Sequence, residues 1–317
     1  MKRGYFSEVQ SMKDTKQNVI IKRKKRSKGD IIFDTIIVLV MIFVLVVTLY
    51  PIWNTVAISF NDALDTMRGG IHLWPRELSL VSYKTVLRRE SMVTGLKISA
   101  LRTIIGTVLQ LACTALLSFV LSRKDFVFSK AVSFIFVLTM YVNGGLIPGF
   151  ILYKSLGFMN NFWVYVIPGL VSAFNMLVIR TYMNGLPDSL EESAMIDGAG
   201  YFTVFTKIIV PLCKPVFATI ALFIAVGQWN SWFDTMIYNR LSPNLTTLQY
   251  ELMKLLSSVS KLSGDANLSA QAGQTAAVTQ KSVRAAATVL TSIPIIILYP
   301  FLQRYFVSGL TIGGVKE

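Results

Sequence analysis

Long apolar stretches alternate with short polar segments along this chain, a pattern typical of helices that cross a membrane several times. A helix needs roughly 20 apolar residues to cross about 30 Å of hydrocarbon. Six stretches approach or reach that length, and Asp34 in the first is the only charged residue within them. They cover residues 31–51, 103–121, 131–152, 162–179, 215–233 and 285–302. The pattern predicts an all-α, polytopic membrane protein with about six transmembrane helices.

The composition indicates a membrane protein and includes few side chains suited to catalysis or metal binding. Of the 317 residues 53% are hydrophobic and 15% are charged, whereas a soluble protein has about 25% charged residues. Two cysteines, Cys113 and Cys213, and one histidine, His72, are present. We therefore expect no metal site, no catalytic cluster and no structural disulfide.

The basic residues predict the orientation of the chain. Residues 1–30 contain ten Lys and Arg and three acidic residues, a net +7 out of a total of +14. Basic segments next to membrane helices stay in the cytoplasm, where they face anionic lipid. This explains the charge better than nucleic-acid binding does. Six spans would then place both termini in the cytoplasm.

The predicted organisation has three parts. Residues 1–30 form a basic cytoplasmic tail, residues 31–307 form the transmembrane domain, and residues 308–317 form a second cytoplasmic tail. Within the transmembrane domain, residues 54–97 and 238–281 would be outer loops. Residues 186–211 would be a patterned cytoplasmic loop.

Helix-breaking residues interrupt several predicted spans. The third contains Asn143-Gly144-Gly145 and then Pro148, and the fourth contains Pro168-Gly169. Non-helical backbone at membrane depth occurs only where protein or a water-filled cavity satisfies it. The interruptions indicate either a path for a solute or ordinary kinks between packed helices.

The segment between the fourth and fifth spans is too polar to cross a membrane and too regular for an ordinary loop. Asp188 followed by Glu191 is a capping-box pattern, and Gly198 is suited to end the helix that follows. A second amphipathic piece leads to Pro211. Physically, this predicts two short helices joined by a glycine turn. They could be held by a partner or lie passively on the membrane surface.

This segment resembles the EAA loop of ABC-importer permeases. That pattern is Glu-Ala-Ala, three residues, Gly, nine residues, Ile, any residue, Leu-Pro. Here Glu192-Ser193-Ala194, Gly198, Ile208 and Val210-Pro211 occupy those places, with Ser193 and Val210 as mild departures. The resemblance extends over nearly the whole chain. Residues 304–316 resemble the tail of the maltose-type second permease. Residues 143–148 and 227–233 resemble permeases for oligosaccharides and polysaccharide fragments.

The resemblance implies one membrane subunit of an ATP-driven importer in a bacterial cytoplasmic membrane. Its implied partners are a second permease subunit, two nucleotide-binding ATPase subunits and an extracytoplasmic solute-binding protein. ATP and Mg²⁺ would bind in the ATPases, since the chain has no phosphate-binding loop motif and is not expected to be an enzyme. Two sets of residues would contact the ATPases. They are Glu191, Glu192, Ser193, Ala194, Asp197, Gly198, Ile208 and Pro211 in the loop, and Gly309, Thr311, Gly313 and Gly314 in the tail.

The predicted substrate path combines aromatic and amide side chains, which suit sugar hydroxyls and C–H edges. Its candidates are Asn143, Asn175, Trp229, Asn230 and Trp232. Trp at membrane interfaces and small polar groups between helices offer a structural explanation for the same residues. The alternatives are an importer for a non-sugar solute and an ion-coupled carrier. The absence of charges from the middle of the spans counts against the carrier.

Overall fold

A computed structural model describes residues 28–262 and 279–312, and within these ranges the chain is helical, without a β-strand. The α-helices are α1 (Lys28–Ser59), α2 (Ala63–Met67), α3 (Val81–Arg88), α4 (Glu90–Ser122), α5 (Ser129–Tyr141), α6 (Leu146–Ser155), α7 (Ala173–Met183), α8 (Ser189–Ile196), α9 (Tyr201–Val204), α10 (Val210–Leu212), α11 (Lys214–Asn230), α12 (Phe233–Tyr238), α13 (Leu248–Leu262) and α14 (Gln280–Ile312). Short 3₁₀ turns form at Phe162–Tyr165, Ile167–Gly169 and Pro243–Leu245. The predicted all-α class is confirmed for the described residues.

Two of these helices, α1 and α4, are each long and apolar enough to cross a membrane unbroken. Three bent pairs of helical segments raise the number to five if each pair is one span. The third predicted span is such a pair, because α5 and α6 meet at 117° across Val142–Gly145. The sixth predicted stretch lies within α14, which contains Pro294 and Pro300.

The structure differs from the sequence prediction at the second span. Helix α4 begins at Glu90, well before the predicted start at Thr103. Lys97 and Arg102 interrupt the apolar pattern, but only Lys97 is exposed, and Arg102 is 2% exposed. Tertiary partners for Arg102 allow the helix to continue through a position that hydropathy alone excludes. The helices also extend into both ends of the predicted 54–97 loop.

One face of α4 carries small and polar residues that are all buried. They are Gly95, Ser99, Arg102, Gly106, Gln110, Thr114 and Ser118. Their spacing of three or four residues places them on one side of the helix. Ser99 Oγ accepts the Leu248 N–H at 2.9 Å, and Ser118 Oγ donates to the Met176 carbonyl at 3.1 Å. This face therefore connects α4 to the start of α13 and to α7.

Gly95 is required for the close approach of α4 and α13. A Cβ atom at this position would lie 2.9 Å from the Leu248 backbone nitrogen. We expect Gly95→Ala to reduce stability by about 1–3 kcal/mol, because backbone must move to make room. Gly227→Ala is the matched control, since its Cβ would meet nothing within 4 Å. Thermal unfolding of the detergent-solubilised protein measures both, and equal midpoints would contradict the packing described for Gly95.

Candidate coupling site

Helix α8 ends in a glycine turn of the kind predicted from the sequence. Gly198 has φ +84°, the left-handed conformation that favours glycine. Its N–H donates to the Met195 carbonyl at 3.0 Å, and the Ala199 N–H donates to the Ala194 carbonyl at 2.9 Å. These two bonds define a Schellman motif, which closes the C-terminus of a helix. The turn at Gly198 is confirmed.

The predicted capping box at the start of α8 is wrong. Asp188 makes no side-chain cap hydrogen bond to the backbone of α8. Its carboxylate instead pairs with Lys124 at 2.5 Å, and the Glu191 carboxylate pairs with Arg123. Lys124 and Arg123, which lie in the loop between α4 and α5, thus bind the two acids that the capping box would have used.

A third contact joins the same loop to the beginning of α9. The Tyr201 hydroxyl donates to the Asp125 carboxylate. This hydrogen bond lowers the pKa of Asp125 and raises the pKa of Tyr201, because it favours the carboxylate and the protonated phenol. Together with the two ion pairs, it ties the start of α8 and the start of α9 to residues 123–125.

Most of the other predicted coupling residues in the first half of the loop are exposed on the protein surface. Glu192, Ser193, Asp197 and Gly198 are exposed, and Ala194 is half-buried. Neither Glu192 nor Asp197 has an ion-pair partner among the described residues. Exposed apolar side chains surround them, with Ile196 86% and Phe202 73% exposed. This combination of acidic and apolar groups offers both charge and contact area to a second molecule.

The second half of the loop is part of the core. Val204, Phe205 and Ile209 are buried and pack with Phe119 of α4 and Ile179 of α7. Residues Phe205–Ile209 form a π-helical turn, a feature frequent at functional sites. Ile208 is half-buried within this turn, and Pro211 follows at the start of α10. A displacement of this segment would therefore be passed to α4 and α7.

The five predicted substrate-path residues are not joined to one another by any hydrogen bond or ring contact in the described part of the chain. Asn143 Oδ1 accepts the Gly145 N–H at 2.8 Å and so shapes the break between α5 and α6. Asn175 lies in the first turn of α7, where its N–H reaches Ser172 Oγ at 3.4 Å. Asn230 is exposed and Trp232 is half-buried.

Trp229 has a structural partner. It is 7% exposed, and its indole N–H donates to the Thr291 carbonyl of α14 at 2.9 Å. The same ring lines an apolar cavity of about 230 Å³ beside Thr103 and Ile295. In this structure Trp229 joins α11 to α14, and its contact with a substrate stays a prediction.

Arg102 forms a polar centre that was not predicted from the sequence. Its guanidinium pairs with Asp234 at 2.5 Å, and Nε donates to Gln228 Oε1 at 3.0 Å. The group also lies over the Tyr165 ring, 4.4 Å from the centroid. The recurrence of small and polar residues along residues 95–118 was the available signal, since such faces pack against other helices in membranes.

No group of three or more His, Cys, Asp or Glu side chains in the described ranges is placed to hold a metal ion. Of the predicted tail contacts, Gly309 and Thr311 lie in the last part of α14. Gly313, Gly314 and the basic residues 1–27 lie outside the described residues.

Known proteins of similar sequence and fold establish the class. No family profile matches the chain. The polygalacturonan/rhamnogalacturonan transport system permease protein YtcP of Bacillus subtilis is 30% identical over 285 residues, covering 90% of this chain and 98% of that protein. Protein LplC of the same organism is 31% identical over 290 residues, with 92% and 97% covered.

A solved structure agrees with these relatives. A chain from a bacterial ABC transporter involved in the import of the acidic polysaccharide alginate has a TM-score of 0.80 and 28% identity, covering 89% of this chain and 99% of that one. The protein is thus a membrane protein and belongs to the permease subunits of ABC transport systems. As a permease subunit it is not itself an enzyme.

The ion pair at Glu191 is expected to stabilise the site more than the one at Asp188. The Arg123 and Glu191 side chains are 12% and 19% exposed, whereas those of Lys124 and Asp188 are 82% and 64% exposed. Glu191→Gln should cost about 1–3 kcal/mol, and Asp188→Asn should cost about 0–1 kcal/mol. Thermal unfolding of the two variants tests this. An equal or larger loss for Asp188→Asn would show that burial does not decide the difference.

Proposed function

We propose that this chain is one of two membrane subunits of an importer that carries oligosaccharides or polysaccharide fragments into the cytoplasm. The descriptions of its relatives support a saccharide substrate, since they name polygalacturonan, rhamnogalacturonan or alginate as what is transported. Six transmembrane helices with cytoplasmic termini fit the six apolar stretches and the basic tail. The remaining partners are a second permease, two ATPase subunits and an extracytoplasmic binding protein.

The observation that carries this proposal is the division of the 186–211 loop into an exposed half and a buried half. Glu192 and Ile196 of α8 and its C-cap residue Asp197 are exposed on the protein surface. Within residues 204–209, Val204, Phe205 and Ile209 are buried against α4, α7 and α11, whereas Thr206 and Lys207 are exposed. A partner that holds α8 can thus move three membrane helices without touching them.

The proposed cycle follows from this connection. ATP and Mg²⁺ bind in the partner subunits and draw them together, which carries α8 inward. The half-buried Arg123–Glu191 pair and the Phe205–Ile209 turn pass that motion to the membrane helices. The two permeases then rock between outward-facing and inward-facing states, and the sugar crosses between them. This chain contributes the path and the mechanical link, and the ATPases contribute the free energy.

The glycine turn provides a direct test. We expect Gly198→Val to abolish ATP-dependent uptake while leaving membrane insertion intact, because valine is strained at φ +84° and the turn would open. Gly200→Val is the matched control, since Gly200 has φ −75° and a Cβ there would meet nothing within 4 Å.

The measurement is uptake of labelled oligogalacturonides into vesicles that contain the whole complex, normalised to the amount of this chain. Loss of uptake in both valine variants, or in neither, would contradict the role assigned to the turn.

A further inference from the structure

The Arg102–Asp234 ion pair lies at a break in the predicted fifth span. Helix α11 ends at Asn230, and α12 begins at Phe233. Ser231 between them is extended, with φ −71° and ψ 130°. A break of this kind frees backbone carbonyls that need partners when water is excluded.

Arg102 and Asp234 form hydrogen bonds with backbone groups on both sides of the break. Arg102 Nη1 donates to the Ser231 carbonyl at 3.4 Å and to Asp234 Oδ1 at 3.2 Å. Asp234 Oδ1 also accepts the Thr235 N–H at 2.8 Å. A cation thus lies at the end of α11 and an anion in the first turn of α12, the arrangement that each peptide dipole favours.

Further hydrogen bonds hold the ion pair in place. Gln228 of α11 accepts from Arg102 Nε through Oε1 and donates through Nε2 to the Tyr165 carbonyl at 3.1 Å. The Tyr165 hydroxyl donates to the Leu245 carbonyl at 2.6 Å. Gly106 leaves room for the Gln228 side chain, since a Cβ there would lie 2.9 Å from Nε2. Arg102 therefore has little freedom to move.

The break presents two of the predicted path residues. Asn230 is exposed and Trp232 is half-buried, with its ring in edge contact with Phe233 at 5.7 Å. Arg102, at 2% exposed, has no access to a solute. We propose that Arg102 and Asp234 are positioning residues, which act on transport by fixing the orientation of Asn230 and Trp232 toward the passing sugar. This inference rests on the proposed importer function.

The first test measures geometry without transport. A cysteine replaces Asn230 in a Cys113→Ala/Cys213→Ala background, and its reaction rate with a hydrophilic maleimide is followed in the assembled complex. Arg102→Lys keeps the charge but loses the planar fork that reaches both Asp234 oxygens and the Ser231 carbonyl. We expect the labelling rate in Arg102→Lys and in Asp234→Asn to change about threefold or more, because each variant loses hydrogen bonds that hold the break.

The second test separates positioning from simple stabilisation. For uptake of oligogalacturonides, a positioning role predicts a KM about tenfold higher in Arg102→Lys at unchanged Vmax per assembled complex, the factor expected if the displaced Asn230 side chain loses one hydrogen bond to the sugar. Glu251→Gln, at a buried carboxylate in α13, is the control for stability alone. A lower unfolding temperature with unchanged labelling and KM would overturn the proposal.

The two tests also distinguish this inference from the proposed function. If the wild-type complex takes up no sugar, the importer assignment fails, whereas the labelling rates still decide whether Arg102 orients the break. If uptake is normal and the labelling rate in Arg102→Lys equals that of the parent, the positioning role is wrong and the importer assignment stands. If Asp234→Asn fails to assemble, Arg102→Lys alone decides in both tests.

Discussion

Hydrocarbon offers no hydrogen-bond partners, so the polar groups of this chain must be satisfied by the protein itself wherever it crosses the membrane. The buried face of α4 provides many of these partners. Thr114 Oγ1 donates to the Leu170 carbonyl at 3.3 Å, and Ser118 Oγ reaches the Met176 carbonyl. Both acceptors belong to the irregular fourth span. One straight helix thereby supports the segments that are broken or tightly wound around it.

This arrangement explains why irregular backbone is tolerated here. Residues 162–169 are 3₁₀ turns, and α11 stops at Asn230 before α12 resumes. In each case a side chain from α4 lies close by, Gln110 beside Gly169 and Arg102 beside Ser231. Helix α4 thereby holds both irregular segments in a defined geometry.

The loop at residues 186–211 connects α4, α7 and α11 to the exposed surface of the protein. Ion pairs and a hydrogen bond tie its first helix and the start of α9 to residues 123–125, and Val204, Phe205 and Ile209 in its second half are buried. A loop with fixed neighbours in both halves suits the proposed transfer of motion from the ATPases to the membrane helices.

Much of this could be predicted from the sequence, and the exceptions have physical reasons. The apolar stretches follow from hydropathy, and the turn at Gly198 follows from the conformational freedom of glycine. The capping box failed because Arg123 and Lys124 are distant in sequence from Asp188 and Glu191, and no local pattern reveals that they meet. The burial of Arg102 was missed for the same reason, since its partners Gln228 and Asp234 lie more than 120 residues away. Local chemistry predicts helices and turns, whereas the polar contacts between helices depend on tertiary structure.

The central claim, that this chain works as one subunit of an ATP-driven importer, is tested most directly by purifying the tagged chain gently from its native membrane and identifying by mass spectrometry what remains bound. The account predicts that an ATPase with a phosphate-binding loop and a second polytopic permease are recovered in amounts comparable to this chain. Recovery of the chain alone, stable and able to move a solute into vesicles without ATP, would contradict it.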